Sequence, residues 1–550
     1  DYFQEDIMKK RAISLCLAGL MAVSLAGCGG AGTTEKAAEA SGTETGAAAE
    51  IGNSEKKEEL VFVNYRDIRD LNPHLYAGEM YAQEMLYEGL VNITADGFEG
   101  CLAESWDVSE DGKIYTFHIR PGVTFSDGEK CDAYAIKANF DAILENKDRH
   151  TWLEMMNLLV GVSAPDDDTF VIEMSEPYYP MLTELACIRP FAMISPNCMI
   201  DGSTMNGVNG YIGTGPYVLT DFVTDEYAVF ERNENYWGEA PAIQKITVKV
   251  IPDNQTRIMA LENEEIDLIF GKNMLDADAI SQYVDSDRFT VSLSDPTSTR
   301  HIVLNTTHDI LGDTAVRKAL QHATNRQAIS EGIFYGLEPA ADTLYSPTVP
   351  YCDVDLEPYA YDTEEAARLL DEAGWVMGSD GGRSKNGQKL ELDLLYNSDS
   401  VTEKTISEYL QSEYLKLGIS LNIHGEEEQS YRDNMKAGNF DMVFNICWGM
   451  PYDPQSSLAA MRAPVYGDYA AQQGLEDKAE IDQAITDILT STDEAERQEL
   501  YDFVLTRLHE DAVYIPLTYE TNKALYTSEL KGVHFGTDQY DVDFASMYFE

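Results

Sequence analysis

Several segments of the chain have the pattern of hydrophobic and polar positions that is typical of β-strands. Residues 60–64 and 245–251 are predicted strands, and in the second segment every other side chain is apolar and falls on one face. Two further strand-like segments, 106–108 and 114–119, flank the pair Asp111-Gly112. Because Asp-Gly favours a tight turn, these segments predict a β-hairpin.

Other segments have apolar side chains at helical spacing. After Asp132, which is suited to cap a first turn, four apolar residues fall on one face: Ile136, Phe140, Ile143 and Leu144. Beyond about residue 300 predicted helices and strands alternate. They are a helix beginning at Asp313 or Thr314, a helix from Asp362 to Gly374, a strand at 390–394, a helix closed by Gly418, and a strand at 419–423.

Regular alternation of helix and strand predicts an α/β fold. The chain has 550 residues, more than the ~250–300 at which a single hydrophobic core usually stops growing. The first half is richer in strands and loops than the second, and no internal repeat is visible. We therefore expect two unequal α/β lobes with a cleft between them.

The N-terminal region has the organisation of an export signal. Basic residues at 9–11 precede an apolar run at 12–25, which is shorter than the ~20 residues that a membrane-spanning helix needs. The run ends in Leu25-Ala26-Gly27-Cys28, which resembles the lipobox of bacterial lipoproteins. This resemblance implies a signal peptide at 8–28 and a lipid on Cys28, although an ordinary signal peptide with an incidental cysteine is the alternative.

Residues 29–59 are mostly small or charged and predict a flexible tether. Together with the export signal, the tether predicts a protein outside the cytoplasm, either anchored by lipid to the outer face of the cell membrane or periplasmic. Eight cysteines are scattered without a CxxC motif, and buried thiols are a better interpretation of them than disulfides.

Acidic residues dominate the composition. There are 96 Asp and Glu against 39 Lys and Arg, a formal net charge of -57. Such a charge repels phosphate backbones, so we expect no nucleic-acid partner. A site for an anionic ligand would instead need local arginines. The chain has no HExxH or GxSxG motif, and none of its nine histidines are paired at i and i+4, so we expect a binding protein and not an enzyme.

Over roughly residues 60–550 the chain resembles the family 5 extracellular solute-binding proteins of ABC importers, and within them the nickel-binding branch. Single motifs are weak, but their order and spacing together are specific. The motifs are Leu71-Asn72-Pro73-His74-Leu75-Tyr76, Arg149-His150-Thr151-Trp152, Tyr178-Tyr179-Pro180, Thr183-Glu184-Leu185, Arg189-Pro190-Phe191, Gly213-Thr214-Gly215-Pro216, Arg232-Asn233-Glu234-Asn235-Tyr236-Trp237-Gly238 and Trp448-Gly449-Met450-Pro451-Tyr452-Asp453-Pro454.

The resemblance implies a two-lobed type II periplasmic-binding-protein fold. Lobe I would comprise residues 60–298 with 519–550 returning to it, and lobe II residues 299–518, with a hinge near 298 and 518. The implied function is capture of nickel or another divalent transition metal as a carboxylate-bearing chelate, by a monomer without a covalent cofactor. The ligand would be delivered to permease and ATPase subunits of the importer.

Two other functions stay open at this stage. One is a dipeptide- or oligopeptide-binding protein of an ABC importer, in which Arg189 or Arg300 would bind a peptide carboxylate. The other is a surface receptor or sensor that uses the same fold.

The resemblance also implies a set of ligand-binding residues. Arg149 and Arg189 would hold carboxylates, for which the planar, always-charged guanidinium is well suited. In so acidic a chain each arginine also has the alternative of pairing with a neighbouring acid. Aromatic walls and a pocket rim would come from Trp152, Trp448, Tyr452, Tyr76 and Met80, although core packing is the ordinary role of such side chains.

One position departs from the nickel-binding pattern. Where those relatives have a histidine that coordinates the metal, this chain has Tyr466. A phenol is a poor ligand for divalent nickel because it must first lose a proton with a pKa near 10. Either the chelator alone holds the metal, with no direct ligand from the protein, or the ligand differs. His301 is a substitute candidate, with an ordinary core or surface histidine as the alternative.

Overall fold

The computed structural model describes residues 57–94, 97–271, 274–447, 454–536 and 542–550. The predicted signal peptide at 8–28 with Cys28, and residues 29–56 of the predicted tether, lie outside the described residues. In the part of the chain that is described, no helix combines the length and the apolar character needed to cross a bilayer.

The strands, in chain order, are β1 (Glu59–Asn64), β2 (Val91–Thr94), β3 (Gly97–Gly100), β4 (Ala103–Val108), β5 (Ile114–Ile119), β6 (Leu159–Ser163), β7 (Thr169–Met174), β8 (Met199–Ile200), β9 (Ser203–Val208), β10 (Tyr217–Val223), β11 (Tyr227–Arg232), β12 (Lys245–Val250), β13 (Leu268–Phe270), β14 (Phe289–Leu304), β15 (Val376–Met377), β16 (Arg383–Lys385), β17 (Gln388–Lys389), β18 (Glu391–Asn397), β19 (Ser420–Glu426), β20 (Met442–Cys447), β21 (Tyr514–Thr527), β22 (Leu530–Lys531) and β23 (Tyr548–Phe549).

The α-helices are Met80–Leu86, Ala133–Glu145, Glu154–Leu158, Met181–Leu185, Ile188–Phe191, Asn254–Glu262, Ala277–Ser281, Thr314–Ala323, Arg326–Ile333, Thr363–Glu372, Val401–Lys416, Glu428–Ala437, Pro454–Ala460, Gly467–Gln472, Lys478–Thr490 and Glu494–Glu510. Short 3₁₀ turns lie at Lys147–His150, Pro196–Cys198 and Phe544–Ser546.

A ten-stranded mixed sheet runs through the fold in the order β10-β11-β12-β1-β13-β21-β14-β20-β18-β19. Its two longest strands, β14 and β21, pair antiparallel. β13 pairs with β21 at residues 524–526, whereas β20 pairs with β14 at residues 299–304. The two long strands therefore connect an earlier half-sheet to a later one, and each half-sheet has its own helices and core.

Each half has a hydrophobic cluster of its own, and a further cluster contains residues from both parts of the chain, such as Phe117 and Tyr501. In the first, β1, β11 and β12 contribute Phe62, Phe230 and Ile246. In the second, Leu320 and Leu410 from helices pack with the strands of the later half-sheet. An additional antiparallel sheet, β4-β5-β7-β6, packs against the helix Ala133–Glu145. The predicted pair of α/β lobes is confirmed.

The predicted helix starts have the expected capping geometry. The Asp132 carboxylate accepts hydrogen bonds from the backbone N–H groups of Tyr134 and Ala135. Asp313 and Asp362 cap their helices in the same way. At the other end, Gly374 and Gly418 have φ values of 88° and 77°, a left-handed conformation that terminates a helix with little strain when the residue is glycine.

The predicted hinge positions lie opposite each other in the β14–β21 ladder. Ser298 pairs with Glu520 and Arg300 with Thr518, and the register shifts on both sides of these pairs. A charged cluster lies here, in which the Arg300 guanidinium, with its side chain 13% exposed, contacts the buried carboxylates of Glu520 and Glu338. Arg300 thus already has carboxylate partners within the fold, which leaves it poorly suited to bind a peptide carboxylate.

The six cysteines in the described part of the chain, Cys101, Cys131, Cys187, Cys198, Cys352 and Cys447, are all buried thiols.

Candidate functional site

Tyr76 lies at the centre of the candidate site, in the loop between β1 and the helix Met80–Leu86. Its hydroxyl oxygen accepts a hydrogen bond of 2.8 Å from the indole Nε1 of Trp152. The same hydroxyl is 2.7 Å from His150 Nδ1. Both neighbouring rings meet Tyr76 edge-on, at centroid separations of 5.6 Å for His150 and 6.1 Å for Trp152.

Two arginines converge on this ring. The guanidinium carbons of Arg149 and Arg189 are each 6.0 Å from the centroid of Tyr76. The two guanidinium carbons are therefore separated by at most twice 6.0 Å, although the two arginines are 40 positions apart in the chain. Arg149 is exposed, whereas Arg189 is half-buried and donates from Nη1 to the carbonyl oxygen of Gly78 at 3.1 Å.

A buried carboxylate holds the segment that follows Trp152. Glu184 accepts hydrogen bonds from the backbone N–H of Met155 at 2.8 Å and from the hydroxyl of Tyr178 at 2.6 Å. Burial raises the pKa of the Glu184 carboxyl to about 7, against the lowering effect of these hydrogen bonds. Glu184 belongs to the Thr183-Glu184-Leu185 motif, so its role is to position the loop that carries Arg149 and Trp152.

A cavity of about 560 Å³ adjoins Tyr76. Among the described residues of its wall, three arginines and one glutamate are charged: Arg66, Arg69, Arg189 and Glu79. The Arg66 Nε atom is 2.5 Å from Glu79, which leaves an excess of positive charge in a protein whose net charge is -57. Such a wall favours an anionic ligand.

Aromatic side chains also line the cavity. Among the described residues they are Phe62, Tyr65, Tyr76, Tyr81 and Phe270. Ile446 of β20 also lines it, so both half-sheets contribute to the wall. A concave wall that combines aromatic side chains with a few charged groups is typical of a small-molecule binding site.

The central hydrogen bonds connect neutral groups. Burial raises the pKa of Tyr76 to about 12, so the phenol keeps its proton near neutral pH. Burial, together with the neighbouring Arg149 charge, lowers the pKa of His150 to about 4. The imidazole is therefore neutral, and its unprotonated nitrogen can accept a hydrogen bond.

The structure brings Tyr76, Arg149, Trp152 and Arg189 together, and Met80 lines the cavity beside them. Trp152 is 45% exposed, so its ring is accessible to a ligand. Trp448 and Tyr452 lie outside the described residues.

Tyr466 and His301 are not among the cavity residues. Tyr466 precedes the helix Gly467–Gln472, and burial raises its pKa, with Arg432 and Asp468 nearby. His301 is buried, its Nδ1 is 3.1 Å from the carbonyl oxygen of Thr299, and its ring meets Tyr514 edge-on. Among the described residues, no group of three His, Cys, Asp or Glu side chains is arranged to hold a metal ion.

Three basic side chains of the site were not predicted from the sequence. Arg66 and Arg69 follow β1 in a segment that carries no recognisable motif. His150 lies within the Arg149-His150-Thr151-Trp152 motif, between Arg149 and Trp152, which are both predicted ligand-binding residues. Its burial, which decides its role, has no signature in a four-residue motif.

Several known proteins are similar to this chain in sequence and in fold. Residues 97–468 match the model of the family described as bacterial extracellular solute-binding proteins, family 5. The nickel-binding periplasmic protein of Escherichia coli K12 is 42% identical over 483 residues, which are 87% of this chain and 92% of that protein. The dipeptide-binding protein of the same organism is 26% identical over 516 residues, 88% and 93% of the respective chains.

Among solved structures, NikA from Brucella suis in complex with Fe(III)-EDTA superposes with a TM-score of 0.86 and 44% sequence identity. The match covers 90% of this chain and 100% of that chain.

Proposed function

The chain belongs to family 5 of the bacterial extracellular solute-binding proteins, and from that membership we propose that it captures a transition-metal chelate for an ABC importer. The ligand is an anionic complex in which carboxylates of the chelator surround nickel or a similar metal. The metal is cargo, bound and then delivered to the permease and ATPase subunits. Proteins of this family bind solutes for transport and are not enzymes.

One observation carries this proposal. The guanidiniums of Arg149 and Arg189 flank the ring of Tyr76 beside a cavity whose wall has more arginine than acid. A guanidinium presents a planar set of N–H donors that fits the two oxygens of a carboxylate. A chelate with several carboxylates would therefore contact both arginines at once, while Trp152 covers its apolar part.

Two relatives favour a metal chelate over other anions. A protein 42% identical to this chain is named a nickel-binding protein, and a structure 44% identical was solved with Fe(III)-EDTA, in which carboxylates enclose the metal. We extend this ligand class to the present chain. In this proposal Trp448 and Tyr452 complete the aromatic wall, and the chelator supplies the metal ligands.

The N-terminal sequence supports a further proposal, on where in the cell the protein is located. Cleavage of the predicted signal peptide immediately before Cys28 would leave Cys28 as a lipidated N-terminus, and the predicted tether at 29–59 would hold a monomeric binding protein near its importer. Mass spectrometry of the membrane fraction tests this, because a Cys28→Ser variant is expected to lose both the lipid mass and the membrane association.

Isothermal titration calorimetry tests the ligand class. We expect Ni(II) with L-histidine, or Fe(III)-EDTA, to bind more tightly than any member of a dipeptide panel. Arg189→Ala is expected to weaken chelate binding by about 2–5 kcal/mol, the cost of breaking a partly buried charge pair, and the exposed Arg149→Ala by less. Arg368→Ala is the matched control, because Arg368 is exposed and pairs only with Glu365 and Glu372.

Two results would contradict the proposal. Tighter binding of a dipeptide than of either chelate would make the protein a peptide-binding protein. Unchanged chelate affinity in both arginine variants would show that the chelate does not bind beside Tyr76. Native mass spectrometry of protein purified without added metal gives an independent reading, because it reports the mass of any ligand that remains bound.

A further inference from the structure

We propose that His150 is a positioning residue of the ligand site, which orients Tyr76 beside Arg149 and Arg189 by accepting the hydrogen bond of its hydroxyl. The inference rests on the proposed function, because it concerns the same site. It adds a residue that does not line the cavity and that acts only through Tyr76.

The direction of the hydrogen bonds follows from the donors present. An indole N–H can only donate, so the Tyr76 oxygen is the acceptor of the bond from Trp152. Among the described residues, the other group within hydrogen-bond distance of this hydroxyl is His150 Nδ1, at 2.7 Å. The phenol proton is therefore directed to Nδ1, and the imidazole carries its own proton on Nε2.

The burial of His150 makes this hydrogen bond specific. The side chain is 0% exposed, and its Nε2 atom has no hydrogen-bond partner within the described part of the chain. The imidazole thus makes its one side-chain hydrogen bond to Tyr76. A buried polar ring that retains an unpaired N–H is costly, so simple space-filling would favour an apolar side chain at this position.

The consequence for ligand binding follows from the geometry around the ring. Tyr76 is held at its hydroxyl from two sides, by Trp152 and by His150, while Arg149 and Arg189 lie 6.0 Å from its centroid. Without the acceptor on His150, the phenol can rotate toward another partner. Rotation would disturb both cation contacts and the indole at once, which lowers the preorganisation of the site.

A double-mutant cycle tests the inference with Fe(III)-EDTA as the probe. His150→Phe keeps a ring of similar size but removes the acceptor, and is expected to weaken binding about tenfold. Tyr76→Phe removes the hydroxyl and is expected to weaken binding by a similar factor. If His150 acts through that hydroxyl, the double variant should bind as Tyr76→Phe does, whereas losses that multiply would overturn the proposal.

His301 provides a matched control. It is also buried, but it lies in β14, and its Nδ1 is 3.1 Å from the carbonyl oxygen of Thr299. We expect His301→Phe to lower the melting temperature and to combine multiplicatively with Tyr76→Phe. A conservative variant, His150→Gln, restores an acceptor and should bind within about threefold of the unmodified protein. If His150→Phe does not fold, a tenfold loss in His150→Gln would itself count against the proposal.

A ligand-free measurement separates this inference from the proposed function. The fluorescence contributed by Trp152, obtained by subtraction of a Trp152→Phe spectrum, reports on the Nε1 hydrogen bond without any chelate. We expect His150→Phe and Tyr76→Phe to shift this emission alike. If Fe(III)-EDTA does not bind the unmodified protein, the function is wrong but the positioning role stands on this shift. An unshifted spectrum in His150→Phe contradicts the positioning role alone.

Discussion

Replacement of Arg300 by methionine is expected to destabilise the fold strongly and in a pH-dependent way. Arg300 is buried in the β14–β21 ladder, where its Nη2 atom contacts Glu520 and is 3.7 Å from Glu338. Lys523 Nζ is 3.2 Å from Glu338, so two cations contact the carboxylates of Glu338 and Glu520, and the Glu403 carboxyl also interacts electrostatically with Arg300. Methionine fills most of the volume and leaves the pair of carboxylates with a single cation.

The expected loss is about 3–5 kcal/mol, the usual cost of removing one partner of a buried ion pair. The other three side chains of the network are at most 4% exposed, so solvent does little to screen the uncompensated charge. For a folded unit of this size the unfolding entropy is about 1 kcal/mol per kelvin. The melting temperature at neutral pH should therefore fall by about 3–5 °C.

The pH dependence identifies the cause. In the variant one carboxyl should have a folded-state pKa above its unfolded value, because ionisation leaves a buried, unpaired charge. Such a group lowers stability as pH rises through the window between the two pKa values. We therefore expect calorimetric scans to show a larger difference from the unmodified protein at pH 8 than at pH 5, and Glu520→Gln to restore stability in the Arg300→Met background. Equal differences at both pH values, or no rescue, would refute the reasoning.

Three further predictions follow from other contacts. Tyr179→Ala removes a ring whose centroid lies 3.5 Å from the guanidinium carbon of Arg497, and a hydroxyl that donates to Glu494 at 2.7 Å. We expect the free energy of unfolding to fall by about 3 kcal/mol. An unchanged thermal melt would contradict this expectation. Burial lowers the pKa of His74 to about 3, so as pH falls below about 6.5 the unfolded chain binds a proton that the folded chain does not. His74→Gln should therefore reduce the slope of the free energy of unfolding against pH by roughly 1.4 kcal/mol per pH unit between pH 4.5 and 6. Denaturant titrations at several pH values measure this slope. Tyr466→His should tighten binding of Ni(II) with limiting L-histidine by roughly tenfold if this loop faces the metal, and an unchanged Kd in calorimetry would show that it does not.

Local structure was predictable where short-range chemistry decides it. The predicted hairpin forms, with Trp106 opposite Phe117 and Val108 opposite Tyr115. The predicted helix after Asp132 spans Ala133–Glu145, and the predicted strand at 390–394 is found at Glu391–Asn397. These elements depend on caps, turn residues and the spacing of apolar side chains, all of which are visible within a window of about a dozen residues.

Interactions between distant segments were not predictable in the same way. The contact of Tyr179 with Glu494 spans 315 positions, and the sequence places no complementary pattern at its two ends. β14 is also a poor strand by pattern, because it contains Pro296 and its polar residues do not alternate, yet it is one of the two strands that join the half-sheets. Pairing with β21 on one side and β20 on the other overrides the weak local preference.

The arginines show most clearly what the fold adds to the sequence. A composition of 39 basic residues does not say which of them can bind an anion. In the structure, Arg257 donates to the carbonyl oxygens of Met274, Ile251 and Pro252, and Arg326 donates to that of Pro516, so both are already hydrogen-bonded within the fold.

The exposed Arg149 differs from these buried arginines, because its guanidinium has no hydrogen bond or ion pair with the described residues and lies 6.0 Å from the ring centroid of Tyr76. An arginine such as Arg149, with its hydrogen-bond donors available beside an aromatic ring in a strongly acidic molecule, is where an anionic ligand gains most from binding. This is why the neighbourhood of Tyr76, and not the more heavily charged β14–β21 ladder, is the site at which the ligand should be sought.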